Sequence, residues 1–159
     1  MKTVTKTYKV YKFQELSNEA KEKVFEDLYA VNVDLEWWES IYKDAERVDL
    51  KLTSFDIDRN RYATGDFVSY AIDTARLILK EHSKNCATYE TATDFLDTIK
   101  DLDEESDNYE DAEDEFLKSI LGDYSILLQQ EYDYQTSEPA ILETIEANDY
   151  EFLESGTLF

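Results

Sequence analysis

The sequence predicts an α+β fold, with a small antiparallel sheet of three to five strands packed against about five to six helices. Three observations carry that expectation. Apolar residues recur at helical spacing in several separate stretches. Two short runs, Leu50–Ile57 and Tyr62–Phe67, flank a turn-like Asp58–Arg61, which is the pattern of a hairpin. One Pro and three Gly in 159 residues leave no room for a flexible linker, and 42% hydrophobic content supplies a core, so residues 1–159 are expected to form one domain.

Lys2–Phe13 is rich in Thr, Val and Tyr, with Lys at 2, 6, 9 and 12, and reads as a strand near a sheet edge, where lysines deter stray pairing. Ser17 is a good N-cap for a helix with Ala20, Val24 and Leu28 on one face and Phe25 beside them. A second helix is expected from about Asp34, with Leu35, Trp38, Ile41, Tyr42, Ala45 and Val48 on its buried face. Trp37 falls off that face. Either it packs sideways or it is an exposed aromatic anchor.

Along Leu50–Ile57 the apolar phase slips. Leu50 and Leu52 share one parity, Phe55 and Ile57 the other, which places a bulge at Thr53–Ser54. Phe67, Tyr70, Ala71, Thr74, Ala75, Ile78 and Leu79 make a third helix ending near His82. Tyr89, Ala92, Phe95, Leu96, Ile99 and Leu102 make a fourth. A long fifth carries Phe116, Leu117, Ile120, Leu121, Tyr124, Leu127 and Leu128, and Gly122 inside it marks close packing or a kink. Thr136-Ser137-Glu138-Pro139 starts a sixth, with a hydroxyl cap, an acid in the first turn and a Pro whose missing N–H costs nothing there. Tyr150–Leu153 and Thr157–Phe159 close the chain as a short strand pair joining the sheet.

Charge is the strongest global signal. The net charge is −22, and it is uneven: residues 1–80 hold 13 Lys/Arg against 15 Asp/Glu, residues 81–159 hold 3 against 23. Asp101–Glu115 alone carries ten carboxylates and no cation. Such charge opposes nucleic acid and anionic membranes and favours a basic partner. If the run is helical from Asp103, then Asp103, Asp107, Glu110, Asp111 and Asp114 line one side, with neighbours roughly 5–6 Å apart at Cβ. The competing reading is a solvated acidic loop. The candidate partner-binding residues chosen on charge are Asp103, Glu104, Asp107, Glu110, Asp111 and Asp114.

Catalytic and metal chemistry find little support. One His and one Cys, His82 and Cys86, cannot make a Cys/His metal set and are a poor basis for a nucleophile–base dyad. Asp56-x-Asp58-x-Asn60 copies the opening of an EF-hand loop, but Arg61 stands where the loop needs Gly and Phe67 where it needs Glu; the run from Asp101 fails likewise at Ser106 and Ala112. No Gly-rich phosphate loop is present. The expectation is no enzyme, no metal and no cofactor. No apolar run approaches the roughly 20 residues needed to span a bilayer. MKTVTKTYKVYKF lacks an apolar leader core, and a lone cysteine suits a reducing cytoplasm.

Four fragments carry a resemblance: YKFQELSNEAKEKV at Tyr11–Val24, LEWWESIYKDA at Leu35–Ala45, FDIDRNRYATGDF at Phe55–Phe67 and LLQQEYDYQTSEPAILETIEANDYEF at Leu127–Phe152. On these the chain resembles a family of small acidic proteins encoded by phages and other mobile elements, and within it is most similar to type II-A anti-CRISPR proteins directed at staphylococcal Cas9. The resemblance implies a stoichiometric inhibitor in the cytoplasm of an infected bacterial host. The implied partner is guide-loaded type II-A Cas9, with the HNH nuclease domain as docking site and no direct contact with nucleic acid. Because Cas9 must move HNH onto the target strand after DNA is bound, such an inhibitor would block cutting and leave binding intact. The alternative is an acidic DNA mimic filling a DNA channel of Cas9 or of a restriction enzyme.

Overall fold

Helical stripes dominate the sequence, and helices dominate the structure. A computed structural model describes residues 1–159 as an α+β chain with six helices and one two-stranded antiparallel sheet. Two units pack internally: Met1–Trp37 with Tyr132–Phe159, and Trp38–Glu131.

In the first unit, Phe13 opens a 3₁₀ turn, Phe13–Glu15, and is buried with Leu16. Helix α1, Asn18–Asp27, starts where Ser17 predicts, its hydroxyl accepting the Ala20 N–H at 3.2 Å. Helix α6, Glu138–Ala147, starts the same way from Ser137, with Pro139 in its first turn. Ala20 and Val24 from α1 and Ile141 and Ile145 from α6 bury against Phe13, Leu16 and Phe152. Asn32 serves as a polar pin: its amide donates to Gln135 O at 3.1 Å, and its Oδ1 accepts the Thr144 hydroxyl at 2.6 Å. Trp37 is half-buried with its ring edge-on to Tyr132 at 5.4 Å, which is the packed reading of that residue.

The expected N-terminal strand does not form. Residues 1–10 are exposed and irregular, and only Tyr11 pairs, in a single bridge to Phe152 held by N–H···O bonds of 2.8 and 2.9 Å. Phe152 makes one more bridge, to Leu158. Neither end joins the sheet, so there are two strands where three to five were expected. At the C-terminal end the reason is local: Asp149 and Gly156 both take positive φ, turning the chain after too few residues for a ladder to grow. Lys12 fastens this region instead, pairing with Asp149 at 2.8 Å and Glu151 at 3.1 Å.

The second unit begins with helix α2, Glu39–Arg47, shorter than its apolar stripe suggests: Leu35, expected on the buried face, is 84% exposed. Strands β1, Leu50–Asp56, and β2, Tyr62–Phe67, form the hairpin, with Leu50 opposite Phe67 and Leu52 opposite Gly65. The register then shifts between Leu52 and Ser54, leaving Thr53 as the extra residue of the expected bulge. Gly65 is required there, because a Cβ would lie 2.3 Å from Lys51 O. Helices α3, Ala71–Glu81, and α4, Ala87–Ile99, follow; Phe67, read both as the end of the returning strand and as the start of the third helix's stripe, ends β2. Helix α5, Asp107–Gln135, completes the unit through Glu131.

The core of this unit is a cluster of apolar faces: Val48, Leu50, Ala75, Ile78, Ala92, Phe95, Phe116, Ile120 and Tyr124 are buried together. Phe116 sits in a ring ladder, stacked on Phe95 at 4.4 Å and on Phe67 at 5.3 Å. Gly122 marks neither close packing nor a break. A Cβ at Gly122 would meet nothing within 4 Å, and α5 runs unbroken through it. Gly122→Ala is therefore expected to stabilise the protein by up to about 1 kcal/mol, read as a higher urea midpoint with unchanged slope. A lower midpoint would mean that the position needs glycine for some other reason.

Candidate functional site: an acidic helix face and its aromatic pocket

The acidic run is partly turn and partly helix. Asp103 Oδ1 accepts the Glu105 N–H at 3.0 Å, and Asp103 O accepts the Ser106 hydroxyl at 2.6 Å, so Asp103 closes the turn ahead of α5 and does not lie on its face. Ser106 then caps the helix, its Oγ accepting the Tyr109 N–H at 3.3 Å. The expected helical row therefore loses its first member. From Asp107 onward it holds: Asp107, Glu110, Asp111 and Asp114 are all exposed. At 3.6 residues per turn they share the side opposite buried Tyr109, Phe116 and Ile120. None of them forms an ion pair within 4 Å; the ion pairs of the chain lie elsewhere. Asp107 and Glu110 fall in the first turn, where the helix dipole offsets part of their mutual repulsion.

Beside this face is a concavity of about 610 Å³ walled by Asp73, Glu104, Glu110 and Glu113, with Tyr70, Ile72 and Tyr109 completing it. Ile72 and Asp73 come from the first turn of α3, and Tyr70 is its N-cap residue, 71% exposed. Burial, then the neighbouring Asp114 and Glu110, push the Glu113 carboxyl up from its ordinary value. Burial, then Glu113 and Glu104, push the Tyr109 phenol up. Two of the six candidate residues, Glu104 and Glu110, thus line this pocket. Asp107, Asp111 and Asp114 stay on the open face. Asp73, Tyr70 and Glu113 were missed. Asp73 and Tyr70 lie some thirty residues upstream and carry no sign in the sequence of where α3 would be packed, whereas Glu113 was visible as part of the run.

A second polar cluster joins α2, α4 and α5. The Tyr124 hydroxyl donates to Asp44 Oδ2 at 2.8 Å, His82 Nε2 lies 3.2 Å from the same oxygen, and His82 Nδ1 lies 2.7 Å from Thr88 Oγ1. The Nε2 approach is close enough for a charge contact but does not meet hydrogen-bond geometry, so the nitrogen is buried without a hydrogen-bond partner. His82 holds Asp44 below the ordinary carboxylate range, burial works against it, and the Tyr124 hydroxyl adds to the lowering. His82 is the residue after α3, as its place in the sequence suggests, but it turns inward. Its two ring nitrogens face Thr88 and Asp44, and no hydrogen bond joins it to Cys86, which is exposed. A cavity of about 580 Å³ opens beside the cluster, with Arg47, Asp123 and Ile126 in its wall.

Asp44→Asn tests this cluster. A carboxyl whose folded pKa is depressed contributes stability above its unfolded value, here 3.8, and loses it as pH falls through the folded value. The variant is expected to lose about 1–3 kcal/mol at pH 7 and to show a flatter decline below pH 3.8 than the parent in urea titrations. An unchanged acid limb would show that Asp44 carries no such linkage.

Compared with known proteins, the chain matches no family model, no curated protein and no solved structure. No helix is long and apolar enough to cross a membrane.

Proposed function

We propose that this protein is a stoichiometric inhibitor of guide-loaded type II-A Cas9, docking its acidic face on the HNH nuclease domain and preventing cleavage of the target strand. One observation carries the reading: an ordered row of exposed, unpaired carboxylates on the N-terminal half of α5. A nuclease surface shaped for the phosphates of a target strand is rich in Lys and Arg. Four acids held on one helix face meet such a surface with their repulsion relieved and with fast electrostatic steering. The fragments resembling phage-encoded anti-CRISPR proteins add the choice of nuclease, and with it a site of action in the cytoplasm of an infected bacterial host. No direct contact with nucleic acid is needed. HNH movement follows DNA binding, so obstruction there separates the two steps.

The test is a paired assay on guide-loaded staphylococcal Cas9 with the protein in excess, reading DNA binding and DNA cleavage together. The expected result is cleavage lost and binding retained. Loss of both would move the reading to DNA mimicry in the channel, and loss of neither would end the assignment to Cas9.

A further inference from the structure

His82 follows the last turn of α3, where a histidine would ordinarily stay in water, yet its side chain is only 9% exposed. Its Nε2 is a buried nitrogen without a hydrogen-bond partner. A buried polar atom left idle costs free energy and calls for a physical reason. Asp44 Oδ2 stands 3.2 Å away, off the line of an N–H bond. On the other side of the ring, Nδ1 lies 2.7 Å from the hydroxyl of Thr88, which is 3% exposed and has no other hydrogen-bond partner. All of these groups belong to the unit Trp38–Glu131. A hydroxyl either gives or takes a hydrogen bond, so Thr88 serves both protonation states of the ring. It donates to Nδ1 when the ring is neutral and accepts from Nδ1–H when the ring is charged. Only the charged ring has a strong reason to turn Nε2–H onto Asp44, because a charge-assisted bond is shorter and roughly twice as strong as a neutral one.

We infer that His82 is a proton-operated latch: on taking up a proton it turns onto Asp44 and fastens the corner between α3 and α4 to α2, and on losing the proton it slackens that link. The charged and titratable groups around it come from four elements. From α2 they are Asp44 and Arg47, from α5 Tyr124 and Asp123, and from the start of α4 Cys86. On its own helix Lys80 and Glu81 pair with each other at 3.9 Å. Of these, Asp44 alone makes a charge contact with the ring. Arg47 opposes a second cation nearby, and Asp123 is engaged by the Thr91 hydroxyl at 2.6 Å. Tyr124 stays a donor to Asp44 throughout, since burial, then Asp44, push its phenol far up. Histidine changes charge between pH 5 and 8, so the latch works in the physiological range. Its effect falls on the cavity of about 580 Å³, whose wall includes Asp44, His82, Asn85, Cys86 and Thr88.

His82 is the only histidine, so its ring signals identify themselves in an NMR titration of the full chain. The experiment runs from about pH 5 to about pH 8 on the parent, Asp44→Asn, Tyr124→Phe and His82→Gln, recording the amide signals of residues 83–86 at each step. Removing an opposite charge within 4–6 Å weakens proton binding by about tenfold or more, which is the result expected for His82 in Asp44→Asn. Tyr124→Phe frees Asp44 Oδ2 from the phenol and is expected to make His82 hold its proton more tightly. The amide signals of residues 83–86 should move with the His82 titration in the parent and clearly less in Asp44→Asn. Movement that persists in His82→Gln comes from other groups and is subtracted. Equal proton affinity in the parent and Asp44→Asn, or amide signals that ignore the titration, overturn the inference. Circular dichroism checks each fold. Should Asp44→Asn not fold, Tyr124→Phe decides alone, and unchanged proton affinity there overturns the latch. No nuclease enters the test, so its outcome stands apart from the assignment to Cas9.

Discussion

Replacing Asp107, Glu110, Asp111 and Asp114 together by Asn and Gln is expected to weaken binding to guide-loaded staphylococcal Cas9 by about 10- to 100-fold in about 0.1 M salt, mostly through the association rate. The four residues are exposed, unpaired and on one side of α5, so they act as one field. Their removal leaves the core untouched. Within the helix it relieves like-charge neighbours three and four apart, while Asp107 and Glu110 give up their favourable place in the first turn. Those effects oppose each other at a few tenths of a kcal/mol, so lost affinity would not reflect lost fold. The measurement is surface-based binding kinetics at two salt concentrations, with circular dichroism on each variant. The parent should lose affinity steeply with salt and the variant only weakly. Unchanged affinity in a folded variant would sink the charge model and turn attention to the aromatic residues.

Phe116→Ala is expected to carry the largest stability cost, about 3–5 kcal/mol. Phe116 is 3% exposed and lies between two rings, near parallel to Phe95 at 8° and to Phe67 at 21°. Truncation loses the transfer energy of the ring, leaves a cavity lined by two rigid aromatics, and unstacks both. Set against a total of about 5–15 kcal/mol for a folded domain, that loss is a large fraction. It also bears on function, since the ladder is the first deep anchor of α5 after its acidic turns. Urea unfolding followed by far-UV circular dichroism reads the cost. Phe116→Leu, which keeps apolar bulk without ring faces, separates the cavity from the stacking. A cost under about 1 kcal/mol for Phe116→Ala would show that the surrounding helices collapse into the space and that the ladder is no anchor.

Interactions close in sequence were legible from the residues alone. The Ser17 and Ser137 caps, the bulge at Thr53, the hairpin turn and the 3.6-residue stripe of α5 each depend on residues within one or two turns of each other. The α+β class followed from them, and so did the exposed acidic row, because carboxylates three and four residues apart share a helix side that has nothing apolar to bury. What failed depended on distant partners. Tyr8 and Val10 alternate as a strand does, yet residues 1–10 meet no strand to pair with, and alternation without a hydrogen-bonding partner does not make a sheet. Leu35 continues an apolar stripe that helix α2 does not extend to reach. The pocket was invisible for the same reason. Asp73 and Tyr70 come from one end of α3, and their meeting with Glu104, Glu110 and Glu113 is decided by how α3 packs on α5. His82 likewise found Asp44 and Tyr124 only through the fold. Charge and caps are local and can be read along a line, whereas a cavity is made by side chains far apart in the chain, and only the packed structure brings them together.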